Sequence, residues 1–174
     1  MPADPAYGHT VHLQGVAFED AKGRITAALK EEGFGILTEI DVRETLRKKL
    51  DKDFRKYVIL GACNPGLAFR GLQDELALGL LLPCNVCVWE DEGGSTVSVL
   101  RPDKMVEFTG NPKLEPMARE ADEKLRRALG RLTTWKSALG SRLRTLALAP
   151  GLSSSKGEPN GHTSDGDIPG RQEG

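Results

Sequence analysis

Seven consecutive residues, Tyr57-Val58-Ile59-Leu60-Gly61-Ala62-Cys63, are free of charge and almost wholly apolar, and Asn64-Pro65 cuts the run off. The run has strand length, and its lack of polar alternation predicts a central strand covered on both faces. Asparagine is a preferred N-cap, and proline is at home at the first helical position, where its missing N–H costs nothing. A helix therefore opens directly behind the strand, with Ala68, Leu72 and Leu76 on its apolar side and Gly79 as its stop. Cys63 sits between the two, at the strand end and just ahead of the capped helix.

The flanking segments build a single α+β domain around this unit. His9 to Val16 alternates loosely through Val11 and Leu13 and reads as a first strand. From Phe18 to Glu32, Ala21, Ile25, Ala28 and Leu29 share one helical face, Gly23 weakens the start, and Gly33-Phe34 supplies the stop. Gly35 to Ile40 is a short strand, and Asp41 with Glu44 forms an N-cap pair for a helix bearing Val42, Leu46 and Leu50 on one side. Leu80 to Glu90, interrupted by Pro83, and Thr96 to Leu100 flank Asp91-Glu92-Gly93-Gly94 in the manner of an antiparallel hairpin. A short helical turn over Pro102 to Phe108 precedes Asn111-Pro112, which opens a long helix whose stripe runs from Leu114 and Met117 to Leu129 and Leu132.

The ends differ in composition. Residues 1–8 form a Pro-containing, flexible start, residues 133–149 continue the leucine pattern as a basic amphipathic extension, and residues 150–174 are rich in Gly, Ser, Pro and Asp, a composition that predicts disorder. Lys and Arg total 24 against 25 Asp and Glu, so no net field draws in a nucleic-acid backbone. No apolar run approaches the ~20 residues of a membrane span, and the N-terminus lacks a signal-peptide pattern. With three cysteines, an odd number, the chain fits reduced thiols and a cytoplasmic location better than a disulfide framework.

Three stretches read together are more specific: Gly33-Phe34-Gly35-Ile36-Leu37-Thr38-Glu39-Ile40-Asp41-Val42, Leu60-Gly61-Ala62-Cys63-Asn64-Pro65 and Leu81-Leu82-Pro83-Cys84-Asn85-Val86. In this order they closely resemble the signature of domain-of-unknown-function family 302, over roughly His9 to Leu132. The resemblance implies a two-layer α+β fold, an antiparallel-rich sheet backed by helices, in cytosolic bacterial and archaeal proteins that often pack as dimers. It implies no established reaction. It marks Cys63 and Cys84, whereas Cys87 falls where an apolar strand residue is expected.

Cys63 and Cys84 are thus the candidate chemical groups, with Asn64, Asn85 and Glu39 as candidate binding residues. The positive end of the helix after Cys63 would favour a thiolate, and burial would oppose it. Cys84-Asn85-Val86-Cys87 matches a C-x-x-C pattern, but strand residues three apart point to opposite faces. Asn64 is also explained as a cap and Asn85 by side-chain bonding to the backbone beside Pro83; Glu39 and Asp41 are paired carboxylates suited to acid–base work at the strand-to-helix junction, against which stands a plain capping role for Asp41 and a solvent-facing one for Glu39. A structural metal site needs four ligands, and three cysteines with His9, His12 and His162 unplaced do not supply one unless two chains pool them, so no metal or cofactor is assigned.

Lys124 to Leu146 carries Lys124, Arg126, Arg127, Arg131, Lys136, Arg142 and Arg144 with no acidic residue. Such a helix lies on an anionic membrane or in a partner groove, or packs its leucines on its own domain or on a dimer mate. The leading functional expectation is a homodimeric module that binds a small ligand or partner, with no nucleic acid. The alternative is a thiol-based redox or sulfur-handling protein using Cys63 and Cys84; whether the chain is an enzyme is left open.

Overall fold

The structure, a computed structural model, describes residues 4–147, with side chains through Thr134. The expected disordered tail, 150–174, lies outside the described residues. Along the chain run β1 (Gly8–Gln14), α1 (Phe18–Glu31), β2 (Gly35–Asp41), α2 (Val42–Leu50), β3 (Tyr57–Cys63), α3 (Pro65–Asp74), β4 (Cys84–Asp91), β5 (Gly94–Leu100), α4 (Asp103–Thr109) and α5 (Glu115–Ala147). Single 3-10 turns, Leu76–Leu80 and Pro112–Leu114, follow α3 and precede α5.

The five strands form one antiparallel sheet in the order β1-β5-β4-β3-β2, so the expected α+β class with an antiparallel sheet and a helical layer is what the chain adopts. β4, not the apolar run of β3, is the central strand. Nor is β3 covered on both faces: Val58, Leu60 and Ala62 are buried, while Tyr57, Ile59 and Cys63 are only half-buried. The physical reason is that the core lies on one face of the sheet. There Ile25 and Leu29 of α1 and Leu125, Ala128 and Leu129 of α5 meet Val58, Leu60, Val86, Val88, Val97 and Val99. Each of the buried Val, Leu and Ile side chains contributes about 1.5–3 kcal/mol relative to exposure.

Local signals fall where expected. Asp41 accepts a hydrogen bond from the Glu44 amide at 2.8 Å and opens α2, and Asn64 accepts one from the Leu67 amide at 3.2 Å and opens α3. α2, however, buries none of its residues, and Leu50 is 62% exposed. α3 also turns a different stripe inward: Leu67 and Gly71 are buried, whereas Leu76 is 85% exposed beyond the helix end. Gly71 makes this possible, because a Cβ there would lie 2.5 Å from Leu78 Cδ2 and 3.0 Å from Met117 Cε. α5 continues through Gly130 and Gly140 as one helix, despite their low helix propensity.

The face turned away from α1 and α5 carries two adjacent cross-strand rows. One runs Tyr57–Trp89–Thr96–His12, the other Ile40–Ile59–Cys87–Ser98–Thr10. Tyr57 and Trp89 stack with ring centroids 5.7 Å apart and 8° between their planes. Among the described residues, no helix is long and apolar enough to cross a membrane.

Candidate functional site

The chain reverses out of β3 at Cys63, and two neighbours fix that turn. Asn64 accepts from the Leu67 amide through Oδ1 and donates from Nδ2 to the Glu32 carbonyl at 3.5 Å, joining the end of α1 to the start of α3. Gly33, at φ +83, leaves room for this amide, since a Cβ there would stand 3.0 Å from Asn64 Nδ2. Cys84 opens β4 after the cis Leu82–Pro83 peptide and lies opposite Ala62 of β3. Pro83 packs over Gly61, where a Cβ would come within 2.7 Å of its Cγ and 2.3 Å of Thr38 Oγ1.

Cys63, Asn64 and Cys84 therefore line one cavity of about 20 Å³, closed by Phe34, Met105 and Met117 among others. Both thiols are free. Burial pushes the Cys63 thiol up from its ordinary range, and burial, reinforced by the nearby Cys63, pushes Cys84 up to about 11. Of the two effects anticipated for Cys63, desolvation thus prevails over the helix end. At neutral pH both groups are thiols, a poor state for a nucleophile.

The other candidates lie elsewhere. Asn85 follows Cys84 in the strand and so faces the other side of the sheet, exposed and opposite Gly61. Cys87 lies on that same open face near Tyr57, whose hydroxyl pKa is raised chiefly by burial and then by this thiol. Cys84 and Cys87 therefore point to opposite faces, as strand geometry requires. Glu39 accepts a hydrogen bond from Lys22 Nζ at 3.0 Å, and Asp41 is engaged as the α2 cap, so each carboxylate has its own partner. His9 Nε2 lies 2.6 Å from Asp122 Oδ1, and His12 lies 2.9 Å from Thr96 Oγ1, which donates to Asp91 Oδ2 at 2.9 Å. His162 lies outside the described residues. Among the described residues, no three His, Cys, Asp or Glu side chains group as metal ligands.

Two features have no signal in the local sequence. Met105 and Met117, from α4 and α5, line the thiol cavity. Glu32, only 7% exposed, accepts from Arg127 and from Arg131. Arg131 also reaches Glu31, Arg126 pairs with Asp122 at 2.7 Å, and Lys124 with Glu120 at 3.8 Å. The described cations of the basic stretch are thus engaged on the domain; the side chains of Lys136, Arg142 and Arg144 lie outside the described ones.

A one-sided antiparallel sheet with helices on its back defines a two-layer α+β domain, with two free thiols where β3 meets β4. Residues 9–132 match the family described as domain of unknown function DUF302, and the chain belongs to that family. It is similar to the crystal structure of an uncharacterized conserved DUF302 protein from Bacillus stearothermophilus, at 31% sequence identity and a TM-score of 0.68, covering 74% of this chain and 99% of that one. No curated protein matches. The family expected from the three motifs is therefore the family found.

Proposed function

We propose that this domain is a binding module that self-associates through the open face of its sheet. The observation that supports the reading is the apolar half of that face, where Ile40 is 48% exposed and Tyr57, Ile59, Cys87 and Trp89 are only half-buried in adjoining rows. An apolar patch with an aromatic pair at its centre is the composition of an interface core. A second copy suits it, since a twofold contact places the same patch on itself and a formal net charge of −1 gives little repulsion. A small organic ligand does not fit the thiol cavity, because such pockets run to ~300 Å³ and above; the cleft of about 460 Å³ between α1 and α5, lined by Gly23, Ala27, Ala28 and Leu132, has the size for one.

Sedimentation equilibrium of the full chain and of Ile59→Lys tests the reading. A dimer in the parent and a folded monomer in the variant are expected; a parent that stays monomeric at high concentration, or an unchanged dimer in the variant, overturns it.

Thiol-based redox or sulfur handling is the second reading. What favours it is the shared cavity of Cys63 and Cys84; what opposes it is the raised pKa of both.

A further inference from the structure

Among the described residues, no three His, Cys, Asp or Glu side chains group as metal ligands, yet the fold brings sulfur-bearing residues from four separate elements to one cavity. Cys63 ends β3, Cys84 begins β4, Met105 belongs to α4 and Met117 to α5, and all four line the same cavity. We propose that this cavity is a site for a soft monovalent cation, copper(I), held by the Cys63 and Cys84 sulfurs with the Met105 and Met117 thioethers completing the shell.

Size, softness and charge support the assignment. The volume of about 20 Å³ suits one water-sized particle, which needs ~10–15 Å³, and excludes an organic molecule. Thiolate and thioether donors select copper(I) among biological cations, whereas zinc prefers thiolate, imidazole or carboxylate and gains little from a thioether. The remaining polar lining group, Asn64, is engaged with the Leu67 amide and the Glu32 carbonyl, and hard carboxylate donors are absent from the lining. A monovalent ion with one thiolate is neutral, so its burial costs far less than that of an unpaired charge.

Binding is a proton-for-metal exchange without change of oxidation state. The ion enters at the half-buried Cys63, the S–H bond gives way to an S–Cu bond, and the proton leaves to solvent. Cys84, the more buried of the two, contributes its sulfur as the neutral thiol. Cysteine and methionine also fill gaps in ordinary cores, and that role predicts no metal affinity.

The test is anaerobic titration of the full-length protein with copper(I), under ascorbate, against a chromogenic copper(I) chelator, with zinc(II) in parallel. One copper(I) per chain, release of a proton on binding and no comparable retention of zinc are expected. Altering even an outer-shell group of a metal site costs ~10–100-fold in affinity, so Cys63→Ser or Cys84→Ser should cost ~100-fold or more, Met117→Leu about tenfold, and Cys87→Ser nothing. Met117→Leu conserves volume and keeps the packing, and X-ray absorption of the loaded protein reads the donor set without any variant. More than two sulfur scatterers around copper is the expected spectrum. A chelator that strips the parent protein completely, equal affinity in the Cys63 and Cys84 variants, or copper that follows Cys87 would overturn the proposal.

Discussion

The guanidinium of Arg127 donates from Nε and from Nη2 to Oε2 of Glu32, at 3.0 and 2.9 Å. Arg131 adds a donor to the other carboxylate oxygen at 2.9 Å, and the Glu32 carbonyl receives the Asn64 side chain. One residue at the end of α1 thereby ties together α5 and the turn that carries Cys63.

Glu32→Gln should destabilise the domain by about 1.5–3 kcal/mol, the range for hydrogen bonds to a charged group, as read from urea denaturation. Arg127 holds the Glu32 carboxyl below its ordinary range of 4.5. A depressed pKa contributes stability that is present above the unfolded value and lost as pH falls through the folded one. The parent should therefore lose stability on acidification below pH ~4.5, and Glu32→Gln should show a shallower acid slope over the same window; equal slopes would count against this role.

Cys84 acts at the other end of the scale. Its folded pKa of about 11 lies above the ordinary 9.0, so its contribution is fully present below pH 9 and is lost as pH rises from 9 through 11. The loss should reach about 2–3 kcal/mol, and Cys84→Ala should flatten thermal melts across that interval. A parent whose melting temperature falls no faster than the variant's between those values would exclude it.

In a Cys87→Ser background, alkylation should find Cys63 slower at neutral pH than a thiol in the unfolded chain, with Cys84 protected until unfolding. Half-burial and a raised pKa both act in that direction. Rapid modification of Cys63 well below pH ~8.5 would instead support the redox reading.

Gly94 pairs with Asp91 in the β4–β5 turn, and a Cβ on it would fall 2.1 Å from the Leu13 carbonyl oxygen. Backbone cannot yield as a flexible side chain can, so Gly94→Ala should cost about 1–3 kcal/mol and open the β1 edge. Amide exchange along β1 faster than along β3 in the variant is the expected sign, and an unchanged melt would contradict it.

What the sequence made legible depended on neighbours a few residues apart. The Asp41 and Asn64 caps, the Gly93-Gly94 hairpin and the Ala21-Ile25-Ala28-Leu29 stripe all lie where their local patterns put them. β3 misled because its residues of both parities are apolar, so nothing local says that only Val58, Leu60 and Ala62 face a helix. The inward stripe of α3 turned on Gly71, whose value lies in what it lets Leu78 and Met117 approach. The candidate site was half visible: Cys63, Asn64 and Cys84 share a cavity, while Asn85 and Glu39 serve other faces. Met105 and Met117, and Glu32 with an arginine 95 positions away, meet only through the tertiary fold.

The measurement closest to the central claim is the fluorescence of Trp89 in a Trp135→Phe background, followed through a dilution series alongside sedimentation. Trp89 stacks on Tyr57 in the middle of the open face, so self-association there should bury it and shift its emission to the blue at high concentration, returning to the red as the dimer dissociates. Emission that stays constant through the same dilution, with or without dimerisation, would contradict an interface on this face.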